Sequence, residues 1–151
     1  MQLKSINNIE TRLKKSITYR FQHLLTLVDK SPYSKTFGCF DRSYWLYKIK
    51  DFPAGMSQES IYPISLILKN NINLNISKYG DSLLREIIQS AASFSIENQN
   101  HNGSVDDYYP YEQASGATAF SCYAIISSIE NGQLKLTEFQ LTKLKKRVEW
   151  L

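Results

Sequence analysis

Cysteine, histidine and long apolar runs are all scarce in this chain, and each scarcity closes off a class of function. The two cysteines, Cys39 and Cys122, stand far apart with no CxxC spacing, so nothing asks for a disulfide, and two reduced, partly buried thiols are expected. His23 and His101 show no HxxxH or HxH spacing, and neither a metal nor another cofactor is expected. No window approaches the ~18–20 apolar residues of a membrane helix. Residues 1–15 are polar and basic, unlike a signal peptide, so a cytoplasmic protein is expected unless a leader was removed. The sequence also lacks a G-x-x-x-x-G-K-[ST] loop, a G-x-G-x-x-G turn after a strand and a G-x-S-x-G elbow. Phosphoryl transfer on a P-loop, nucleotide-dependent redox chemistry and α/β-hydrolysis are thereby disfavoured.

What is present fits one domain: 151 residues, 42% of them hydrophobic, with ten Tyr and seven Phe. The net charge of +4 hides a segregation. Residues 1–50 carry ten Lys/Arg against three Asp/Glu, residues 51–130 three against nine, and residues 131–151 five against two. The basic residues fall on what read as solvated helix faces, so nucleic acid is an unlikely partner by pattern.

Residues 5–29 carry Ile6, Ile9, Leu13, Ile17, Phe21, Leu24, Leu25 and Val28 at three- and four-residue steps. That is one buried face of a long amphipathic helix, ended by Ser31-Pro32. Residues 33–55 are irregular and aromatic, a loop that either functions or caps the core. Helices are predicted over residues 58–69, with Pro63 either beginning its regular part or kinking it, and over 81–98, with Asp81 as N-cap. The run NHNGSVDDYYP at 100–110 is loop. A helix rich in small residues follows at 112–130, stopped by Asn131-Gly132. Thr137 and Gln140 form a capping box for a last helix that runs to Leu151, with Leu141, Leu144, Val148 and Leu151 on its apolar face. Five helices without strand alternation predict a single all-α domain of antiparallel helical hairpins. A faint echo supports repetition: SFSIENQN leads into NHNGS, and the last helix ends in KKRVEWL, where another such loop would begin.

Two stretches, FGCFDRSYWLYKIKDFPAGMSQESIY at 37–62 and QNHNGSVDDYYPYEQASGATAFSCY at 99–123, resemble uncharacterised bacterial proteins often encoded with surface-polysaccharide genes. These belong to the α/α-toroid class shared by terpenoid cyclases, protein prenyltransferases and the helical domains of heparinase-type lyases. The resemblance implies a toroid of helical hairpins joined by loops of the Gln-x-x-x-Gly-Ser kind. A closed ring needs roughly twice this many helices, so an open half-ring, a fragment, or a protomer completed by a partner is implied. The D-x-D-D motif of terpene-type cyclases is missing. The lyases' Asn, His and Tyr have counterparts by type in Asn100, His101 and Tyr109, without a positional match.

The densest chemical cluster is Asp106, Asp107, Tyr108, Tyr109, Tyr111 and Glu112. Asp106 and Glu112 could divide acid and base roles, because neighbouring carboxylates push one pKa upward, with Tyr109 as a third catalytic candidate. Asp107, Tyr111 and His101 are expected beside them as ligand contacts, since carboxylates bond sugar hydroxyls and tyrosine rings stack on sugar faces. Asp41, Arg42, Tyr44 and Trp45 form a second ligand-binding candidate, able to clamp a polar group through bidentate bonds and stacking. The competing structural roles are equally concrete: Asp106 caps a turn, Glu112 caps the next helix, the tyrosines pack in the core, Asp41 pairs with Arg42, and Trp45 plugs the core. Two functions follow. One is a carbohydrate-binding or carbohydrate-processing toroid domain of surface-polysaccharide metabolism, lyase-like if enzymatic. The other is a non-catalytic helical protein-interaction module. The expected partners are a glycan, and a second copy or another chain that covers the apolar last helix.

Overall fold

The computed structural model describes residues 2–74 and 80–151, with side chains from residue 9 onward. The described residues are all-helical: α1 (Gln2–Leu27), α2 (Arg42–Trp45), a 3-10 turn (Met56–Ser60) running into α3 (Ile61–Lys69), α4 (Asp81–Glu97), α5 (Ser115–Glu130) and α6 (Glu138–Trp150). Local chemistry sets several ends. Thr137 Oγ1 accepts from the Gln140 N–H at 3.3 Å while Gln140 Oε1 accepts from the Thr137 N–H at 3.1 Å, a complete capping box. Two expected starts shift. Gly80, not Asp81, is the N-cap of α4. Helix α5 begins at Ser115 rather than 112, because Tyr111 and Gln113 sit at φ +62° and +53°, which a right-handed helix cannot contain.

The core gathers Leu25, Ile61, Ile64, Ile87, Ile88, Ile96 and Ile125, all essentially inaccessible to solvent. Helix α3 packs on α4 and α5, α4 on α6, and α5 on the 3-10 turn and α6. The predicted face of α1 is buried only at its C-terminal end. Phe21, Leu25 and Val28 are core, whereas Ile9, Leu13 and Ile17 are exposed, and Ile6 lies outside the described side chains. At ~1.5 Å per residue, the 26 residues of α1 make it longer than α4, which has 17. On α6, Leu144 is buried but Leu141, Val148 and Leu151 are exposed, and the most buried side chain is Arg147.

The echo seen in the sequence has a stronger form. After α1, Gly38-Cys39-Phe40-Asp41 makes the same loop as Gly103-Ser104-Val105-Asp106 after α4. In the first, the Asp29 N–H donates to Cys39 O and the Gly38 N–H to Asp29 O, both at 2.9 Å. In the second, the Asn100 N–H donates to Ser104 O at 2.8 Å and the Gly103 N–H to Asn100 O at 2.9 Å. Both glycines have positive φ, +91° and +101°. Each lies against the backbone of a later helix, Gly38 on Ser90–Ala91 of α4 and Gly103 on Lys146–Arg147 of α6, where a Cβ has no room. Helix, G-x-x-D loop, helix is thus used twice, and each loop is docked on the helix that opens the next hairpin.

Candidate functional site

The two loops meet. The Gly55 N–H donates to Asp106 O at 2.7 Å, and the Met56 N–H to Asp107 Oδ1 at 3.0 Å. Lys50 Nζ bridges Asp41 Oδ2 at 3.1 Å and Asp107 O at 3.3 Å. Asp41 is buried and also accepts from the N–H groups of Ser43 and Ala54. Its ion pair is therefore with Lys50, not with Arg42. Arg42 turns to the Tyr47 ring, with its guanidinium 5.2 Å from the centroid, and no ion pair among the described residues joins it to Asp106 or Glu112. Trp45 is half-buried and its Nε1 donates to Leu27 O at 2.8 Å, closing the C-terminal end of α1. Tyr44 lies under Lys48, whose Nζ is 5.9 Å from the ring centre.

The carboxylates of the acidic-aromatic cluster are turned onto their own loop. Asp106 accepts from Asn100 Nδ2 at 2.9 Å and from the N–H groups of Tyr111 and Gln113 at 2.8 and 3.0 Å. Those last two donors belong to the residues with left-handed backbone, so one carboxylate holds both strained positions. Glu112 Oε2 accepts from the N–H groups of Asp107, Tyr108 and Tyr109 at 3.1, 2.8 and 3.4 Å. The Tyr108 N–H above all draws the Glu112 pKa below the usual carboxylate value, against some desolvation. Glu112 therefore clamps residues 107–109 rather than capping α5, and Asp107 is buried in the contact with the first loop.

This clamping leaves the tyrosines outside. Tyr108, Tyr109 and Tyr111 are 76%, 70% and 86% exposed, the opposite of core packing. His101 is exposed in the turn before Gly103. Beside Tyr108 lies an open depression of about 400 Å³, lined by Glu112 and Gln113 on the loop side and by Ser115 and Gly116 of the first turn of α5. The N-cap of that helix, Ala114, has no side-chain acceptor, and first-turn N–H groups have no intrahelical partner. Acceptor, donors and the Tyr108 ring thus border one hollow. Behind the loop, Phe52, Gln58, Phe94, Asn98 and Asn100 line a smaller cavity of about 120 Å³. No group of three or more His, Cys, Asp or Glu among the described residues is arranged to hold a metal ion.

Arg147 supports this loop from below. It is wholly buried and has no carboxylate partner among the described residues, and burial lowers its pKa to about 10. Nε donates to Gln99 Oε1 at 3.2 Å, one terminal nitrogen to Ser95 Oγ and Ser121 Oγ at 3.1 and 3.2 Å, and the other to Ser95 O at 2.6 Å. Gln99 Nε2 also donates to Lys143 O at 3.0 Å, so both polar atoms of one amide tie the loop to α6.

No protein family, curated protein or solved structure matches this chain. Sequence reasoning placed Ile9, Leu13 and Ile17 in the core and singled out neither Phe120 nor Tyr123, which are also exposed. Periodicity reports which residues share a helix face, not whether another element covers that face.

Proposed function

We propose that this chain is a non-catalytic binding module that takes a hydroxyl-rich ligand, a carbohydrate, on the tyrosine loop, with its helical hairpins forming an arc of an α/α toroid. The observation that carries this reading is the exposure of Tyr108, Tyr109 and Tyr111 on a loop whose backbone is held by Asp106 and Glu112. Rigid aromatic rings in a polar surround give contact area at low entropic cost. Glu112, Gln113 and the first N–H groups of α5 supply acceptors and donors for hydroxyls. Catalysis is the weaker reading. A general acid at neutral pH needs a raised pKa, whereas Glu112 has a lowered one, and Asp106 already accepts three hydrogen bonds. Asn100, one of the residue types shared with heparinase-type lyases, spends its Nδ2 on Ser104 and Asp106. The bacterial surface-polysaccharide setting rests on the resemblance of residues 37–62 and 99–123 alone, and the repeated G-x-x-D loop supports the toroid arc.

The test is a glycan array probed with the intact chain, followed by titration of the best ligand into Tyr108→Ala, Tyr109→Ala and Tyr111→Ala. At least one variant is expected to weaken binding by tenfold or more, about 1.4 kcal/mol, with unfolding unchanged. Absence of any glycan binding by the folded chain overturns the proposal. A second reading, a module that docks another protein, is favoured by a different surface: the open apolar groove where α1, α3 and α5 meet.

A further inference from the structure

Ile9, Leu13 and Ile17 are 57%, 57% and 44% exposed on α1, at four-residue steps that keep them on one face. Leu24 lies seven residues beyond Ile17, two turns along the same face, and there the stripe enters a groove of about 350 Å³ between α1, α3 and α5. Tyr62, Pro63, Phe120 and Tyr123 line that groove. The Tyr62 and Tyr123 rings meet edge to face at 5.3 Å and 67°, and their hydroxyls are 3.4 Å apart. A helical stripe running into a concave aromatic channel is the shape that receives an amphipathic helix.

The charge around the stripe selects the occupant. At the 3.6-residue period, Arg20 falls within the stripe, between Ile17 and Leu24 along the helix, while Arg12 lies along one margin and Lys14 along the other, tied to Glu10 at 2.8 Å. Lys15 is exposed beyond them. Among the described side chains of α1, Glu10 is the one carboxylate against four Lys/Arg, and the groove lining adds one carboxylate, Glu59. A second copy packed through α1 would set like charges together, which opposes pairing. A flat anionic bilayer answers the charge but does not fill the channel. We propose that the α1–α3–α5 face docks an amphipathic helix of a partner protein, with apolar residues at i, i+3/i+4 and i+7 flanked by Asp and Glu. This surface is separate from the tyrosine loop, so the proposal stands or falls independently of glycan binding.

The probe is a fluorescent 18-residue helical peptide with Leu at those spacings and Glu at the flanks. A Lys-flanked version and vesicles with ~30% phosphatidylglycerol serve as alternatives, all measured against the intact chain. The Glu peptide is expected to bind with Kd below ~100 µM, and at least tenfold more tightly than the Lys peptide. Leu13→Asp and Tyr123→Ala should each weaken it tenfold or more, and Tyr108→Ala should leave it unchanged. Leu13 and Tyr123 are exposed, so both variants are expected to fold, which unfolding curves check. No binding of the Glu peptide at ~100 µM overturns the proposal. Equal binding of both peptides does so too, as does vesicle binding without peptide binding, or self-association that Leu13→Asp abolishes.

Discussion

The loop ending in Asp41 and the loop ending in Asp106 share a backbone and differ in what they do with it. In the first, Asp41 is buried, paired with Lys50 and spent on two N–H groups that anchor residues 43 and 54. Its aromatic neighbours Tyr44 and Trp45 are half-buried. In the second, Asp106 is less buried, its acceptors hold a strained turn, and three tyrosines stand in solvent. The same G-x-x-D device closes one hairpin and displays a surface on the other. The difference lies downstream of the aspartate: a long segment that folds back onto the core, against a short proline-containing turn that Glu112 pulls tight. Backbone strain outside glycine is costly; it follows both aspartates, at Lys48 after Asp41 and at Tyr111 and Gln113 after Asp106, but only Asp106 accepts hydrogen bonds from its own strained positions.

The largest test of the shared backbone is to fill its glycines. Gly38→Ala and Gly103→Ala each force a Cβ into helix backbone at positive φ, and each should cost more than about 3 kcal/mol in urea unfolding. A loss at one site without the other would break the equivalence. Next, Arg147→Leu should separate the loops, because Gln99 and Ser95 lose their buried donor while the Asp41 loop is untouched. About 3 kcal/mol is expected, with amide exchange accelerating in residues 99–107 before residues 29–41. Removing the aspartates is a smaller step: Asp41→Ala should cost about 2 kcal/mol and Asp106→Ala about 1–2 kcal/mol, in the order of their burial.

Acid pH should act on both loops: against the burial that raises it, hydrogen bonds from Ser31, Ser34 and Thr36 hold Asp29 of the first loop below the usual carboxylate value, and Glu112 of the second is depressed as well. The folded Glu112 pKa is depressed, so its contribution to loop order is present above the ordinary carboxylate value and is lost as pH falls through the depressed one. The Tyr108 amide resonance should titrate with a midpoint below 4.5, the ordinary value, and Glu112→Gln should abolish that titration. The smallest effect on stability belongs to the tyrosines themselves. Exposed rings without buried contacts should be removable within ~0.5 kcal/mol, so any loss of ligand binding in those variants reports on the surface alone.

Much of the helical plan was legible along the chain because it rests on local rules. The period of residues 5–29, the capping box at Thr137 and Gln140, and the stop at Asn131-Gly132 involve residues within a few positions of each other. The equivalence of Gly38–Asp41 with Gly103–Asp106 was also written there, but as four letters in loops of unequal length, too little to align without the hydrogen bonds. Asp106, Glu112 and the tyrosines are neighbours along the chain. Which of them faced outward was not visible, since a carboxylate near a turn can serve the ligand or the backbone with the same sequence.

Sequence alone determined the all-α class, most helix ends and the location of the acidic-aromatic loop, all set by interactions that the chain makes with itself over short distances. Tertiary structure decided the rest. Only the fold covered the α1 face at Phe21 and Leu25 and left it bare at Ile9, Leu13 and Ile17. Only the meeting of α6 with Gln99, Ser95 and Ser121 made Arg147 a buried hub. And only the closure of residues 105–114 on Asp106 and Glu112 turned the carboxylates inward and the tyrosines out, because a hydrogen bond to strained backbone is available to a side chain only once the loop has folded around it.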